Sequence, residues 1–87
     1  MAPSSLGPPE SDWEELHGFR SLSEFRRFEQ WIIEAKEAGA LKEVPVERHY
    51  SGIAEFAERW FEEPSGQVWR LVGPDAPFQG VFIKVST

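Results

Sequence analysis

Eighty-seven residues with a formal charge of −6 and no cysteine fit one small domain and exclude disulfides, thiol nucleophiles and Cys-ligated metal centres. An acidic body repels phosphate backbones, which argues against a nucleic-acid partner, and no apolar run reaches the roughly 20 residues that a bilayer span needs. A chain of this size hides only about 60% of its unfolded surface, so its four Trp, seven Phe and one Tyr must supply much of the core, each burying roughly 150–250 Å².

In chain order, MAPSSLGPPE (1–10) is rich in Pro, Ser and Gly and has neither the basic nor the apolar region of a signal peptide. It reads as a disordered lead-in to a domain spanning 11–87. Ser11 with Glu14 three residues on has the spacing of a capping box and predicts a short helix that carries Trp13 and Leu16 on one face and closes at Gly18. SLSEFRRFEQWIIEAKEAG repeats the signal with Ser21 and Glu24. Leu22, Phe25, Phe28, Ile32 and Ala35 recur at helical spacing, and Gly39 stands where a left-handed C′ residue belongs. The main helix is therefore expected over about 22–38, with Trp31 and Ile33 toward the edges of its apolar stripe.

KEVPVERHY alternates, with Val44, Val46 and Tyr50 against Glu43, Glu47 and His49. That is a strand with one buried face, and Pro45 assigns it to a sheet edge. IAEFAERWFEE fits a helix through Ile53, Phe56, Ala57, Trp60 and Phe61. The Pro64-Ser65-Gly66 that follows, and QVWRLV after it, favour a hairpin with Gly66 in the left-handed bulge position. A strand over Glu58–Glu62 is expected, with a helical turn near Ile53–Phe56 ahead of it. GVFIKV supplies the last strand, reached through GPDAPFQG.

The hairpin register sorts the rings. If Glu63 faces Gln67, then Phe61 faces Trp69 and Arg59 faces Leu71. This gives a helix-covered face, which Val81, Ile83 and Val85 would join. Trp60 then lies opposite Arg70 on the other face, with Val68, Val72, Phe82 and Lys84, and with Glu58 and Glu62 on either side. A one-residue slip would exchange the two sets. Directly opposed pairs have Cβ atoms about 4.5–5.5 Å apart, so the Arg70 guanidinium reaches the Trp60 ring.

The two histidines, His17 and His49, belong to no HExxH or related metal pattern, and GxSxG, P-loop and GxGxxG motifs are absent. Neighbouring Glu14-Glu15 and Glu62-Glu63 point in different directions on a helix and to opposite faces on a strand, which suits solvated surfaces rather than acid–base pairs. No catalytic residue, metal or cofactor is expected. Fourteen Asp/Glu face seven Lys/Arg between Glu10 and Glu63. Such a body is soluble on its own account, and it also speeds encounter with a basic partner.

Residues 59–82, RWFEEPSGQVWRLVGPDAPFQGVF, resemble small bacterial immunity proteins of polymorphic toxin systems. Those also carry an aromatic strand turning at Gly, a Trp-bearing strand, then a Pro-containing loop and a Gly. The resemblance implies tight, non-catalytic binding of a toxin through an acidic surface, and it transfers no individual residue.

The expectation is an α+β domain: the main helix and a short N-terminal helix packed on a three- to four-stranded, mostly antiparallel sheet. The expected function is non-catalytic binding of another, basic protein, as an immunity-type inhibitor, in a reducing cytoplasm and without membrane or nucleic-acid contact. Trp60, Arg70 and Phe82 are the expected anchors, and Glu58, Glu62 and Asp75 the charged rim. The rivals are a self-associating module, joined through the same sheet face or the Pro45 edge, and a small ligand-binding domain or enzyme. A pocket where His49, Tyr50 and a carboxylate converge would favour the last.

Overall fold

A computed structural model of the chain describes residues 13–52 and 55–85. The disordered lead-in expected over 1–10, the capping residue Ser11 and the start of the turn expected at Ile53–Phe56 lie outside the described residues. Over the described part the architecture is α+β: one main helix against a four-stranded antiparallel sheet.

The helix α1 runs Leu22–Glu37. Its start is set by Ser21, whose Oγ accepts the Glu24 N–H at 3.1 Å, while the Glu24 carboxylate accepts the Arg20 N–H. Its end is a Schellman motif. The Ala40 N–H donates to the Ala35 carbonyl and the Gly39 N–H to that of Lys36. Phe25 and Ile32 are buried, and Phe28 and Ala35 pack against the same core. Leu22, expected on the apolar stripe, is exposed.

The strands are β1 (Lys42–Val44), β2 (Glu58–Glu62), β3 (Val68–Val72) and β4 (Val81–Lys84), ordered β1-β2-β3-β4. Pro45 ends β1 and keeps it at the edge. β2 and β3 pair in the expected register, Phe61 with Trp69, Trp60 with Arg70, Arg59 with Leu71. The turn between them is the expected one. The Gly66 N–H donates to the Glu63 carbonyl, the Glu63 N–H to the Gln67 carbonyl, and Gly66 takes φ 96°.

The parity of β4 is the reverse of the expectation. Phe82 lies across from Leu71 and Lys84 across from Trp69, while Ile83 faces Arg70 and Val81 faces Val72. Phe82 therefore belongs to the helix-covered face, and Val81, Ile83 and Val85 to the other. Two constraints set this. Gly80, at φ 81°, is pressed so close to Val72 that a Cβ would stand 2.8 Å from the Val72 carbonyl oxygen, which fixes how the chain re-enters the sheet. Phe82 then stacks on Trp69 at 4.8 Å and meets Phe28 edge-on at 4.9 Å.

The helix expected from Ser11 to Gly18 does not form over the described residues 13–18. This strip is extended along the outer edge of β4, where Leu16 exchanges both backbone hydrogen bonds with Phe82 at 2.8 Å and the Phe19 N–H donates to the Gln79 carbonyl. The Glu15 carboxylate accepts the Lys84 N–H. Backbone groups committed to a neighbouring strand are not free for helical bonding. Trp13, Leu16 and Phe19 still turn inward, Trp13 and Phe19 being buried and Leu16 packed against the same core.

The other sheet face is covered by the connection from β1 to β2. It includes a single 3₁₀ turn at Tyr50–Gly52. Tyr50 and Phe56 both stack on Phe78, at 5.6 and 4.6 Å.

Candidate functional site

Trp60 and Arg70 face one another across β2 and β3 on the sheet face away from α1. The guanidinium lies 5.3 Å from the Trp60 ring and 5.6 Å from that of Tyr50. Beneath them sits Glu58, whose side chain has no exposed area. One of its oxygens accepts the Tyr50 N–H at 2.8 Å and stands 3.7 Å from His49 Nδ1. The other accepts the Trp60 indole N–H at 2.7 Å and stands 3.5 Å from Arg70 Nε. That nitrogen is buried and makes no hydrogen bond, so the ion pair and two ring faces are what hold the guanidinium. The buried Glu58 charge is tolerated because it is paired with Arg70 and accepts two hydrogen bonds.

His49, Tyr50 and a carboxylate thus do converge. Trp60 is only 3% exposed there and Arg70 12% in its side chain, while His49 stands at the margin, 43% exposed. The cluster acts as a pin, holding the β1–β2 connection against the sheet through the Glu58 carboxylate.

Beside the pin lies a groove of about 340 Å³ lined by Val44, Pro45, Glu47, Arg48, Trp60, Glu62, Val68 and Val85. Its origin is local. Val44 stands across from Trp60, Val68 and Val85 adjoin where the Val85 N–H donates to the Val68 carbonyl, and Pro45 turns the chain out of β1. Arg48 closes one wall, its guanidinium 5.8 Å from the Trp60 ring. Glu47 and Glu62 stand on the rim, and among the described residues neither is within ion-pair distance of a cation. Lys42 is opposite Glu62 in the ladder without closing a pair.

Of the residues expected to bind a partner, Trp60 and Glu62 line this groove. Glu58 and Arg70 lie in the pin. Phe82 is fully buried on the opposite sheet face, so its assignment as a surface anchor is corrected. Asp75 is exposed in the β3–β4 loop, its backbone doubly bonded to Phe78, and is not among the groove residues. The sequence reading missed Val44, Pro45, Glu47, Arg48, Val68 and Val85 as a set. The signal was available in part, since an edge strand ending at Pro45 must leave the sheet next to the residues that Trp60 faces.

On the helix side, a chain of charges closes the β1 edge. Arg59 donates to both oxygens of Glu43 at 2.9 and 2.8 Å, and Lys36 reaches the same carboxylate at 3.1 Å. The Arg59 hydrogen bonds, with Lys36 adding to them against some burial, lower the Glu43 carboxyl to about 2. The same contact holds the Arg59 guanidinium above its ordinary value.

Among the described residues, no group of three or more His, Cys, Asp or Glu is placed to hold a metal ion, and no helix is long and apolar enough to cross a membrane. No family profile, curated protein or solved structure matches the chain.

Proposed function

We propose that this chain is a non-catalytic protein-binding module that docks a basic segment of a partner protein in the groove beside Trp60. The observation that carries the reading is the rim. Glu47 and Glu62 have no cation of their own at ion-pair distance among the described residues, and they stand over an apolar floor of Val44, Trp60, Val68 and Val85. A lysine or arginine entering there gains the carboxylates while its stem covers the floor. The overall charge of −6 steers such a partner in and makes its association rate fall with salt. Inhibition of a toxin is the form of this activity implied by the resemblance of residues 59–82 to immunity proteins.

The test is affinity capture from the native host with the wild-type chain and with a Glu47→Gln/Glu62→Gln/Val68→Asp variant whose fold has been checked by circular dichroism. A protein retained by the wild type and released by salt is expected to bind the variant at least about tenfold more weakly, since truncated hot spots each cost about 1–2 kcal/mol or more. Equal capture by both would refute the groove as the docking site.

A further inference from the structure

We propose that a second cleft, between the 13–19 strip and α1, receives an arginine side chain presented by a protein partner. The cleft has a volume of about 200 Å³ and is lined by Trp13, Glu14, Leu16, Phe28 and Trp31. Trp31 forms its outer wall and is 42% exposed. Its ring leans on Trp13 at 4.8 Å and on Phe28 at 5.7 Å, so the indole is braced by two neighbours.

The fold shows what such a wall accepts. Arg59 lies 5.5 Å from the Phe61 ring while donating to Glu43. Arg70 lies against Trp60 and Tyr50 with Glu58 at 3.5 Å. In both cases a ring face and a carboxylate together hold a guanidinium. The cleft's lining supplies the first two members of that trio, the exposed Trp31 indole and Glu14. Among the described residues no cation lies over the ring of Trp31 or Trp13.

Arginine rather than lysine is the occupant because its cation is planar, weakly hydrated and forked. It stacks on an indole while bonding a carboxylate at the same time. Tryptophan and arginine are also the residues most enriched at binding hot spots. The inference shares with the proposed function the premise of a basic protein partner, but it does not depend on the groove, which lies on the other face of the sheet.

The four tryptophans separate the two sites. The intact protein is titrated with N-acetyl-arginine amide and, in parallel, with N-acetyl-lysine amide, following the indole N–H signals by NMR after assignment with single Trp→Phe variants. Arginine is expected to shift the Trp31 signal saturably, with lysine binding about threefold or more weaker. Glu14→Gln, an exposed change that leaves the fold intact, should weaken arginine by a similar factor. No saturable shift at Trp31, equal binding of lysine, or indifference to Glu14→Gln would each overturn the cleft. A response confined to Trp60 would also overturn it while leaving the groove standing.

Discussion

Phe82 has Trp69 stacked on one face, Phe28 against its edge and Trp13 at 6.0 Å, and it has no exposed area. Phe82→Ala would leave a cavity that these large rings cannot fill. We expect a loss of about 3–5 kcal/mol in urea unfolding, out of a total of about 5–15 kcal/mol for a domain of this kind. A loss under about 1 kcal/mol would show that Phe82 is not in the core. Trp69, and Trp60 on the other sheet face, are anchored by polar contacts as well as packing, whereas the buried indole nitrogen of Trp13 has no hydrogen-bond partner among the described residues. Trp69 donates its N–H to Glu63 at 2.7 Å, as Trp60 does to Glu58. Two glutamates that read as solvent-facing in the sequence are each committed to a tryptophan, because a buried indole N–H needs an acceptor and the nearest carboxylate supplies one.

At the scale of elements, the β2–β3 hairpin depends on Gly66. A Cβ there would meet nothing within 4 Å, but the φ of 96° is one that L-residues resist. Gly66→Ala should therefore destabilise by about 1–2 kcal/mol through the backbone alone, measured by thermal or urea unfolding. An unchanged midpoint would mean that the turn had relaxed to another type. This hairpin and α1 were legible from the sequence because their signals are local: Ser21 with Glu24, Gly39, and Pro64-Ser65-Gly66. The facing of β4 was not. Val81, Ile83 and Val85 compete with Phe82 for the same side, and the loop before the strand sets no register that a period of two can reveal. The helix expected over the 13–18 strip rested on Ser11 with Glu14 and on Trp13 with Leu16, local signals that say nothing of the edge of β4, where Leu16 commits its backbone to Phe82. The groove was legible only in part: Trp60, Glu62 and Val68 share the face that the hairpin register assigns, whereas Pro45, Glu47 and Arg48 belong to a connection held by the buried Glu58, and Val85 joins them through the facing of β4.

Across the whole molecule, three layers stack: α1, the sheet and the β1–β2 connection. The helix and sheet are clipped together at one side by Lys36, Glu43, Arg59 and Glu29. Because the folded Glu43 carboxyl is lowered to about 2 from an ordinary 4.5, its contribution is complete above about pH 4.5 and fades as the pH falls from there toward 2. The carboxylate is a third exposed, so the contribution is that of a well-bonded surface pair, about 1 kcal/mol or less. Glu43→Gln should remove this part of the acid dependence while leaving stability above pH 5 lower by the same small amount. A wild-type stability profile between pH 5 and 2.5 that the substitution does not alter would refute the assignment.

The strip that runs along β4 has a consequence in time. The Glu15 carboxylate and the Lys84 amide are 69 residues apart in sequence, and contacts that distant are entropically the most expensive to bring together. During folding, the hairpin and helix can assemble while the last strand still has an unguarded flank. In that interval a second chain could dock where the early residues belong. Crowded refolding is thus the condition under which this molecule is most exposed to tangling with its own copies.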